Sequence, residues 1–333
     1  MDIFRDYDIE EGSIYSSSDG QKYEAKIPTI NARHSSKYFG TKRGFSSVSG
    51  VANHVSFNMT LISPNDHESY YVYDILSNNT SDIQPDIHTT DTHGSNRVNF
   101  FLLDMFGYKF APRLKNTKKR AKNLVGFRYP KTYEKQGLLI RPKRKVNQKV
   151  IIEEWDNVLR ILSSLGLKTT TQSTIIRKIC SQKGYSKTKK ALWALNEILQ
   201  SIHIYEFIND PQIRQNITKA LNRGESYNKL VRAIADVGGG RLRFRTEHEH
   251  RIGMECNRLV TNAIIYYNLR LLTYLKQYHQ SLGIKDIKEI IKKTSPSAWI
   301  HFNFQGTYNF REAKSVKFDE IFETLKNVKI AQK

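Results

Sequence analysis

Between residues 55 and 114 the chain alternates two periodicities, and neither an all-helical bundle nor an all-strand sandwich accommodates that alternation. In "VSFNMTLIS" (55–63), Val55, Phe57, Met59 and Leu61 fall on one face, and Ser56, Asn58 and Thr60 on the other. That is the two-residue period of a strand. Pro64, Asn65 and Asp66 break it and offer helix-start chemistry. "ESYYVYDILS" (68–77) then predicts a short helix, "DIHTTD" (86–91) a strand with Gly94 closing the turn after it, "NRVNFFLLDMF" (96–106) a helix ending at Gly107, and "YKFAPRL" (108–114) another strand. Strand, helix, strand, helix, strand implies an α/β fold with parallel pairing in a sheet covered by helices.

The pattern fails from about 115 to 150, where "KNTKKRAKN" and "RPKRKVNQK" read as exposed basic loops or an arm. After 150 the periodicity turns helical. "EEWDNVLRILSSLG" stops at Gly166, and "KTKKALWALNEILQSIHIYEFI" (187–208) is long enough for six turns. "NDPQIRQNITKALNRG" opens with Asp210 as cap and Pro211 in the first turn, the favoured arrangement. Over 260–278, Val260, Ile264, Tyr267, Leu271, Tyr274, Leu275 and Tyr278 recur at helical spacing and are expected to face the core.

Charge is divided unevenly. The net charge is +21, from 53 basic and 32 acidic residues. Residues 1–100 carry −5, residues 101–150 carry +13 and residues 151–333 carry +13. An acidic opening segment followed by a basic one suits a cation site beside a polyanion track. The most apolar stretch, "LVTNAIIYYNLRLL", is interrupted by Asn262, Asn268 and Arg270. It falls short of the ~20 apolar residues of a membrane span. Met1 is followed by Asp2, Arg5, Asp6 and Asp8, unlike a signal peptide. Cys180 and Cys256 give no disulfide framework and fit a reducing, cytoplasmic compartment.

Three carboxylates stand out. Asp19, in "YSSSDGQKY", precedes Gly20, and an Asp-Gly pair locally reads as a turn. It also falls at the end of a strand over "GSIYSSSD". Asp91, 72 residues on in "HTTDTHG", falls at the end of the second strand, where functional carboxylates of α/β sheets collect. Neighbouring strands would let both face one cation. Glu225, in "LNRGESYNKLVRA", shares a helix face with Lys229 and Arg232, which suits a metal bound against phosphate or an ordinary surface ion pair. Zinc is disfavoured. His88 and His93 in "HTTDTH", and His248 and His250 in "EHEH", match no zinc spacing.

In order, the motifs "SSSDGQ", "TDTHG", "GYKFAPRL", "LNRGES" with "LVRAI", and "TSPSAWIHFNFQGTY" resemble the catalytic region of replicative transposases of the Tn-three family, from about Ser16 to Phe310. The family pattern has a small residue where His93 stands. "EEWDNVLR" and "NRLVTNAIIYYN" are shorter echoes. The resemblance implies an RNase H-like fold of the retroviral integrase superfamily, with a large helical insertion and a helical C-terminal part. Its expected parts are 1–114 (first part of the core), 115–150 (basic loop or arm), 151–222 (helical insertion) and 223–333 (the glutamate-bearing helix and the helical region completing the domain). It implies a DDE triad of Asp19, Asp91 and Glu225 holding two Mg²⁺ ions, with Mn²⁺ as substitute. Asp19 would bridge the ions, and Asp91 and Glu225 would each complete one side. Two such ions serve phosphodiester attack. Cleavage at the transposon end would free a 3′-OH that attacks target DNA.

Lys115, Lys118, Lys119, Arg120, Lys122, Lys143, Arg144, Lys145, Lys229, Arg232, Arg241, Arg243 and Arg245 are candidate DNA-backbone contacts. Family logic gives a homodimer on paired DNA ends and a nucleoid-associated bacterial protein. Family members are longer, with end-recognition domains before the catalytic region, so the chain is expected to be N-terminally truncated, with a separate N-terminal transposase fragment as a candidate partner. "DIEEGSIY" and "TEHEHRI" depart from the family pattern, the latter keeping Glu247. Two alternatives stand beside the transposase. One is a catalytically silent DNA-binding remnant, and the other a standalone RNase H-like nuclease.

Overall fold

The computed structural model of the chain describes residues 2–137, 140–181, 186–284, 287–307 and 317–326. The end of "SAWIHFNFQGTY" lies outside them. Five strands form the body of a mixed sheet: β1 (Tyr15–Ala25), β2 (Arg43–Ala52), β3 (Val55–Ile62), β4 (Ile87–Thr89) and β5 (Lys109–Phe110). Their spatial order is β3-β2-β1-β4-β5. The first three are antiparallel, and β4 and β5 run parallel to β1. Helix α1 (Val72–Ser77) joins β3 to β4, and α2 (Asn99–Met105) joins β4 to β5.

The alternation of strands and helices over 55–114 therefore holds, but Phe57, at a bulge between the pairs Gly50↔Asn58 and Val51↔Ser56, leaves the face of Val55, Met59 and Leu61 for the opposite core, and parallel pairing holds only for β4 and β5. β3 returns antiparallel along β2 through a two-residue turn at Asn53 and His54, which have φ of 44° and 74°. Positive φ at both positions is the hairpin geometry whose twist matches its strands. β2, "RGFSSVSGVA", carries little strand signal because its position forbids bulk. A Cβ on Gly50 would meet Phe57 Cζ at 2.5 Å and Ile75 Cγ2 at 2.8 Å. "YKFAPRL" pairs as a strand only at Lys109 and Phe110, although Ala111 N and Arg113 N still donate to the carbonyls of His88 and Thr90.

Helices follow: α3 (Gln148–Glu153), α4 (Trp155–Gly166), α5 (Gln172–Ser181), α6 (Lys187–Asn209), α7 (Pro211–Asp236) and α8 (Glu247–Ser281). Asp210 caps α7 as expected, accepting from Gln212 N at 2.7 Å with Pro211 in the first turn. α8 begins with a capping box between Thr246 and Glu249. Its buried stripe is Met254, Thr261, Ile264, Ile265, Asn268 and Leu269. Val260 is exposed, and Tyr267, Leu271, Tyr274 and Tyr278 are half-buried, so the core stripe is turned from the expected one. Among the described residues no helix is long and apolar enough to cross a membrane.

The two faces of the sheet bury different helices. One packs Val48, Phe57, Ile62 and the fully buried Leu102 and Leu103 against α4, α5 and α6. The other packs Tyr23, Phe45 and Met59 against Tyr227 and Leu230 of α7 and Ile265 of α8. A third cluster joins Ala111 and Leu114 beyond β5 to Phe207 of α6 and Leu221 of α7. Each fully buried Leu or Phe contributes about 1.5–3 kcal/mol. The basic stretch is anchored here, since Leu124 and Val125 are buried and Val125–Gly126 pairs with Arg144–Lys145.

α7 lies along β1 at close range. Ser17 Oγ donates to Ala220 O at 3.2 Å, Gln21 Nε2 donates to Asn228 O at 2.6 Å, and a Cβ on Gly224 would sit 2.5 Å from Ser17 Oγ. Gly224→Ala should therefore lower the thermal midpoint by an equivalent of about 1–3 kcal/mol, despite the better helix propensity of alanine. Adding Ser17→Ala should recover part of the loss, because the Ser17 Cβ is 3.7 Å from the new methyl. Melting of the single and double variants checks this, and a double variant less stable than Gly224→Ala would refute it.

Candidate carboxylate site at a gap beside the central strand

Asp19 and Gly20 do not form a turn, and Asp19 does not end its strand. Both lie in the middle of β1, which stays paired to β2 from Ser16↔Ala52 to Glu24↔Gly44. The other edge of β1 is different. β4 pairs there at Tyr15–Ser17, and Arg241–Leu242 pairs at Glu24 and Ala25. Among the described residues no strand pairs that edge between Ser18 and Tyr23. Asp19 stands in this gap.

Register places Asp91 beside it. The last parallel pair is Ser17↔Thr89. Two residues further on each chain stand Asp19 and Asp91, at one level of adjacent strands and, by the two-residue period, on one face. A pocket of about 370 Å³ is lined by both carboxylates, Glu68, Lys22, Lys37 and Tyr38. Glu68 is among the members that sequence reading misses, with Lys22, Lys37 and Tyr38. Gly20 makes room for it, because a Cβ there would meet Glu68 Oε1 at 2.1 Å. Lys22 donates to Glu68 Oε1 at 2.7 Å and to Ser46 Oγ at 2.9 Å. The glycine of "SSSDGQ" was the available signal, once read as close approach rather than as a turn.

The loop bearing Asp91 is fixed by polar contacts. Asp91 Oδ1 accepts from Gly94 N at 3.0 Å. Asn99 Nδ2 donates to Gly94 O at 3.2 Å and to Ser69 O at 3.0 Å, and its Oδ1 accepts from Gln172 of α5. His88, in β4, is buried between Ser16 Oγ and Ser18 Oγ at 2.8 and 2.9 Å. Burial pushes its pKa down to about 3, so it is neutral. His250 is buried between Phe45 and Phe244.

Glu225 is on α7 but does not line the pocket. Asn228, one turn on, reaches Asp19, with Nδ2 donating to Oδ2 at 3.1 Å. Glu225 lies between Asn228 and Leu221, which packs towards β4 and β5 in the third cluster. At i+4 from Leu221 it belongs to the flank of α7 nearest the end of β4. Glu225 is exposed, and among the described residues it forms no ion pair. Arg232 instead lies over the Tyr23 ring at 6.0 Å. Among the described residues no three His, Cys, Asp or Glu side chains already converge as a ligand set.

The basic candidates fall in two places. Lys115, Lys118, Lys119, Arg120 and Lys122 surround Thr117–Ala121 beyond β5, with Lys143, Arg144 and Lys145 alongside; all but the half-buried Arg120 are exposed. Arg144 also pairs with Glu197 at 3.3 Å. Lys229, Arg232, Arg241, Arg243 and Arg245 are exposed on the end of α7 and the connection to α8, and Arg241 pairs with Glu24 at 3.3 Å. Glu247 is structural, accepting from Thr29 and Asn31.

Among the described residues Asp19 has no cationic partner, because Lys22 pairs with Glu68 instead. Burial, then the charges of Glu68 and Asp91, push Asp19 up to about 6, against the Gly20 N–H and Asn228 that hold it down. Crowded carboxylate oxygens of this kind fit a hard divalent cation. Without one, ionised Asp19 opposes folding. Its folded pKa exceeds its unfolded value of 3.8, so the penalty is full above about pH 6 and gone below about pH 4. Over a third of Asp19 is solvent-accessible, and screening limits the effect to at most about 1 kcal/mol. In metal-free buffer at pH 8, Asp19→Asn should melt slightly above the unaltered chain, and the advantage should fade as the pH falls from 6 to 4. An advantage that grows on acidification would contradict the electrostatic account.

Residues 1–308 match the family model of the Tn3 transposase DDE domain. The chain is 30% identical over 308 residues to the transposase for transposon Tn1546 of Enterococcus faecium, covering 92% of this chain and 30% of that protein. It is 28% identical over 309 residues to the transposase for transposon Tn501 of Pseudomonas aeruginosa, covering 91% and 30%. To the transposase for transposon gamma-delta of Escherichia coli K12 it is 29% identical over 303 residues, covering 90% and 30%. It thus spans about 30% of the length of these relatives. No solved structure matches. A mixed α/β body, two carboxylates in register at the edge of its central strand and a match running through both of them and Glu225 lead to one conclusion: this chain belongs to the Tn3 transposase DDE domain family.

Proposed function

We propose that the chain is the catalytic unit of a DNA transposase, with an RNase H-like sheet and a DDE site made by Asp19, Asp91 and Glu225. The observation that carries this reading is the register of β1 and β4, which sets Asp19 and Asp91 side by side in one pocket. Asn228 ties the helix bearing Glu225 to Asp19, which supports Glu225 as the third carboxylate. The strand order, antiparallel on one side of β1 and parallel on the other, supports the RNase H-like assignment.

Asp19, Asp91 and Glu225 would hold divalent cations, Mg²⁺ or Mn²⁺. Two such ions, when bound, neutralise phosphate charge and provide a nucleophile at neutral pH. The chain's own residues do the rest. Lys22 and Lys37 put positive charge in the pocket against phosphate oxygens, and the Lys22–Glu68 pair keeps Lys22 in place. The exposed lysines from 115 to 145 hold the DNA backbone without reading its sequence. The carboxylate oxygens of the triad would fix the positions of those ions, at which the phosphodiester would be cleaved at a transposon end and joined to target DNA. A homodimer and a separate N-terminal fragment are the partners proposed for the complete reaction.

The test is cleavage and joining of pre-nicked or branched transposon-end DNA with Mg²⁺ or Mn²⁺. Asp19→Ala, Asp91→Ala and Glu225→Ala should each lower the rate by at least about 10³-fold, while DNA binding in EDTA is unchanged. Chelation should abolish the reaction of the unaltered chain. Binding without cutting would identify a silent DNA-binding chain, and cutting without joining a nuclease. Loss of DNA binding in all three variants would remove these residues from the chemistry.

A further inference from the structure

A second cleft, distinct from the carboxylate pocket, lies at the same end of the sheet. Its volume is about 550 Å³, within the ~300–1,000 Å³ of small-ligand sites. Arg97, Arg120 and Arg144 line it, with Trp193, Asn196 and Gln200 of α6. Glu197 is its single carboxylate and pairs with Arg144. Among the described residues Arg97 and Arg120 have no carboxylate partner. The cleft is therefore rich in donors with positive charge in excess. Asn196 Oδ1 accepts from Phe100 N at 3.0 Å, which leaves its N–H₂ for the cleft. Arg97 lies over the Trp193 ring at 4.6 Å, so one wall is aromatic and cationic together.

Two connections fix this cleft to the Asp91 loop. Arg97 follows Asn96, which donates to the Ser69 carbonyl, beside Glu68 of the carboxylate pocket. Arg120 lies on the chain that leaves β5, where Arg113 N donates to Thr90 O, next to Asp91. Exposed lysines suffice for the outside of a duplex. A recess with guanidinium groups, carboxamides and an indole wall suits a nucleotide taken out of the stack, because its base offers a face and hydrogen-bonding edge and its phosphate an anion.

We propose that this cleft holds one unpaired nucleotide of the DNA strand engaged at the carboxylate site, with Arg120 and Arg144 on its phosphate, Asn196 and Gln200 on the edge of its base, and Arg97, seated on Trp193, against the face of its base. The proposal rests on the DNA-transposase reading but is tested without catalysis. Fluorescein-labelled short duplexes, fully paired or ending in a one-nucleotide flap, are titrated in EDTA. The unaltered chain should bind the flap DNA about ten-fold more tightly. Arg97→Gln and Gln200→Ala should each erase most of that preference and leave affinity for the paired duplex within about twofold. Unchanged melting temperatures confirm that both variants fold. Deoxymononucleotides should fail to compete, and displacement of flap DNA by them would overturn the assignment to a DNA strand. Equal binding of the two DNAs by the unaltered chain, or parallel loss of both in the variants, would overturn the cleft proposal while leaving the cleavage test untouched. Failure to bind either DNA would overturn the DNA reading as well.

Discussion

The structure depends on an interruption. β1 is paired along its whole length on one edge and only at its two ends on the other. Beside this open edge α7 packs on the face of β1 that carries Ser17, Asp19 and Gln21. Asn228 meets Asp19 and Gln21, and the absence of a side chain at Gly224 lets the helix come down onto Ser17. The same gap spaces the carboxylates. Had β4 continued along β1, its backbone would occupy the place where Asp19 and Asp91 now open into one pocket.

Holding like charges together costs free energy, and the surrounding structure supplies the constraint. Asp19 is pushed up to about 6 by burial and by the carboxylates of Glu68 and Asp91. The loop that imposes this crowding is tied by Asn99 to Gly94 and Ser69, and through Gln172 to α5. Gln172 also accepts from Tyr73 N at 2.7 Å, and Asp74 accepts from Gln172 N at 2.7 Å. The helices from 148 to 209 are thus part of what orients Asp91. Their packing on α2 also builds the arginine-lined cleft.

The elements legible in the sequence are those whose apolar residues recur at the element's own spacing or form a bounded run. β3 shows its period although both its faces are buried, Phe57 and Ile62 in one core and Met59 and Leu61 in the other, and α2 stands out as the apolar run from Phe100 to Leu103 before Gly107. Asp210 and Pro211 announce α7 because a capped helix start needs those atoms. β2 escapes reading because Gly44 and Gly50, pressed by Phe39 and Phe57, replace the bulky residues that would reveal a strand. Asp19-Gly20 reads locally as a turn because the need for glycine arises from Glu68, 48 residues away. Asp91 is legible from its strand end. Glu68, Lys22 and Asn228 are not, since their roles exist only after β1, the loop before α1, and α7 come together. The resemblance of the ordered motifs to a family is what puts Asp19, Asp91 and Glu225 forward as a set, which no local pattern does.

The proposed cation site of Asp19, Asp91 and Glu225 has a direct structural readout. Anomalous diffraction from crystals soaked in Mn²⁺ tests it most directly. A peak coordinated by Asp19 and Asp91 with Glu225 drawn to it, lost in Asp91→Asn, is the expected result. A peak held by Glu68 and Asp66 with Glu225 turned away, or no peak at Asp19 at saturating Mn²⁺, would contradict it.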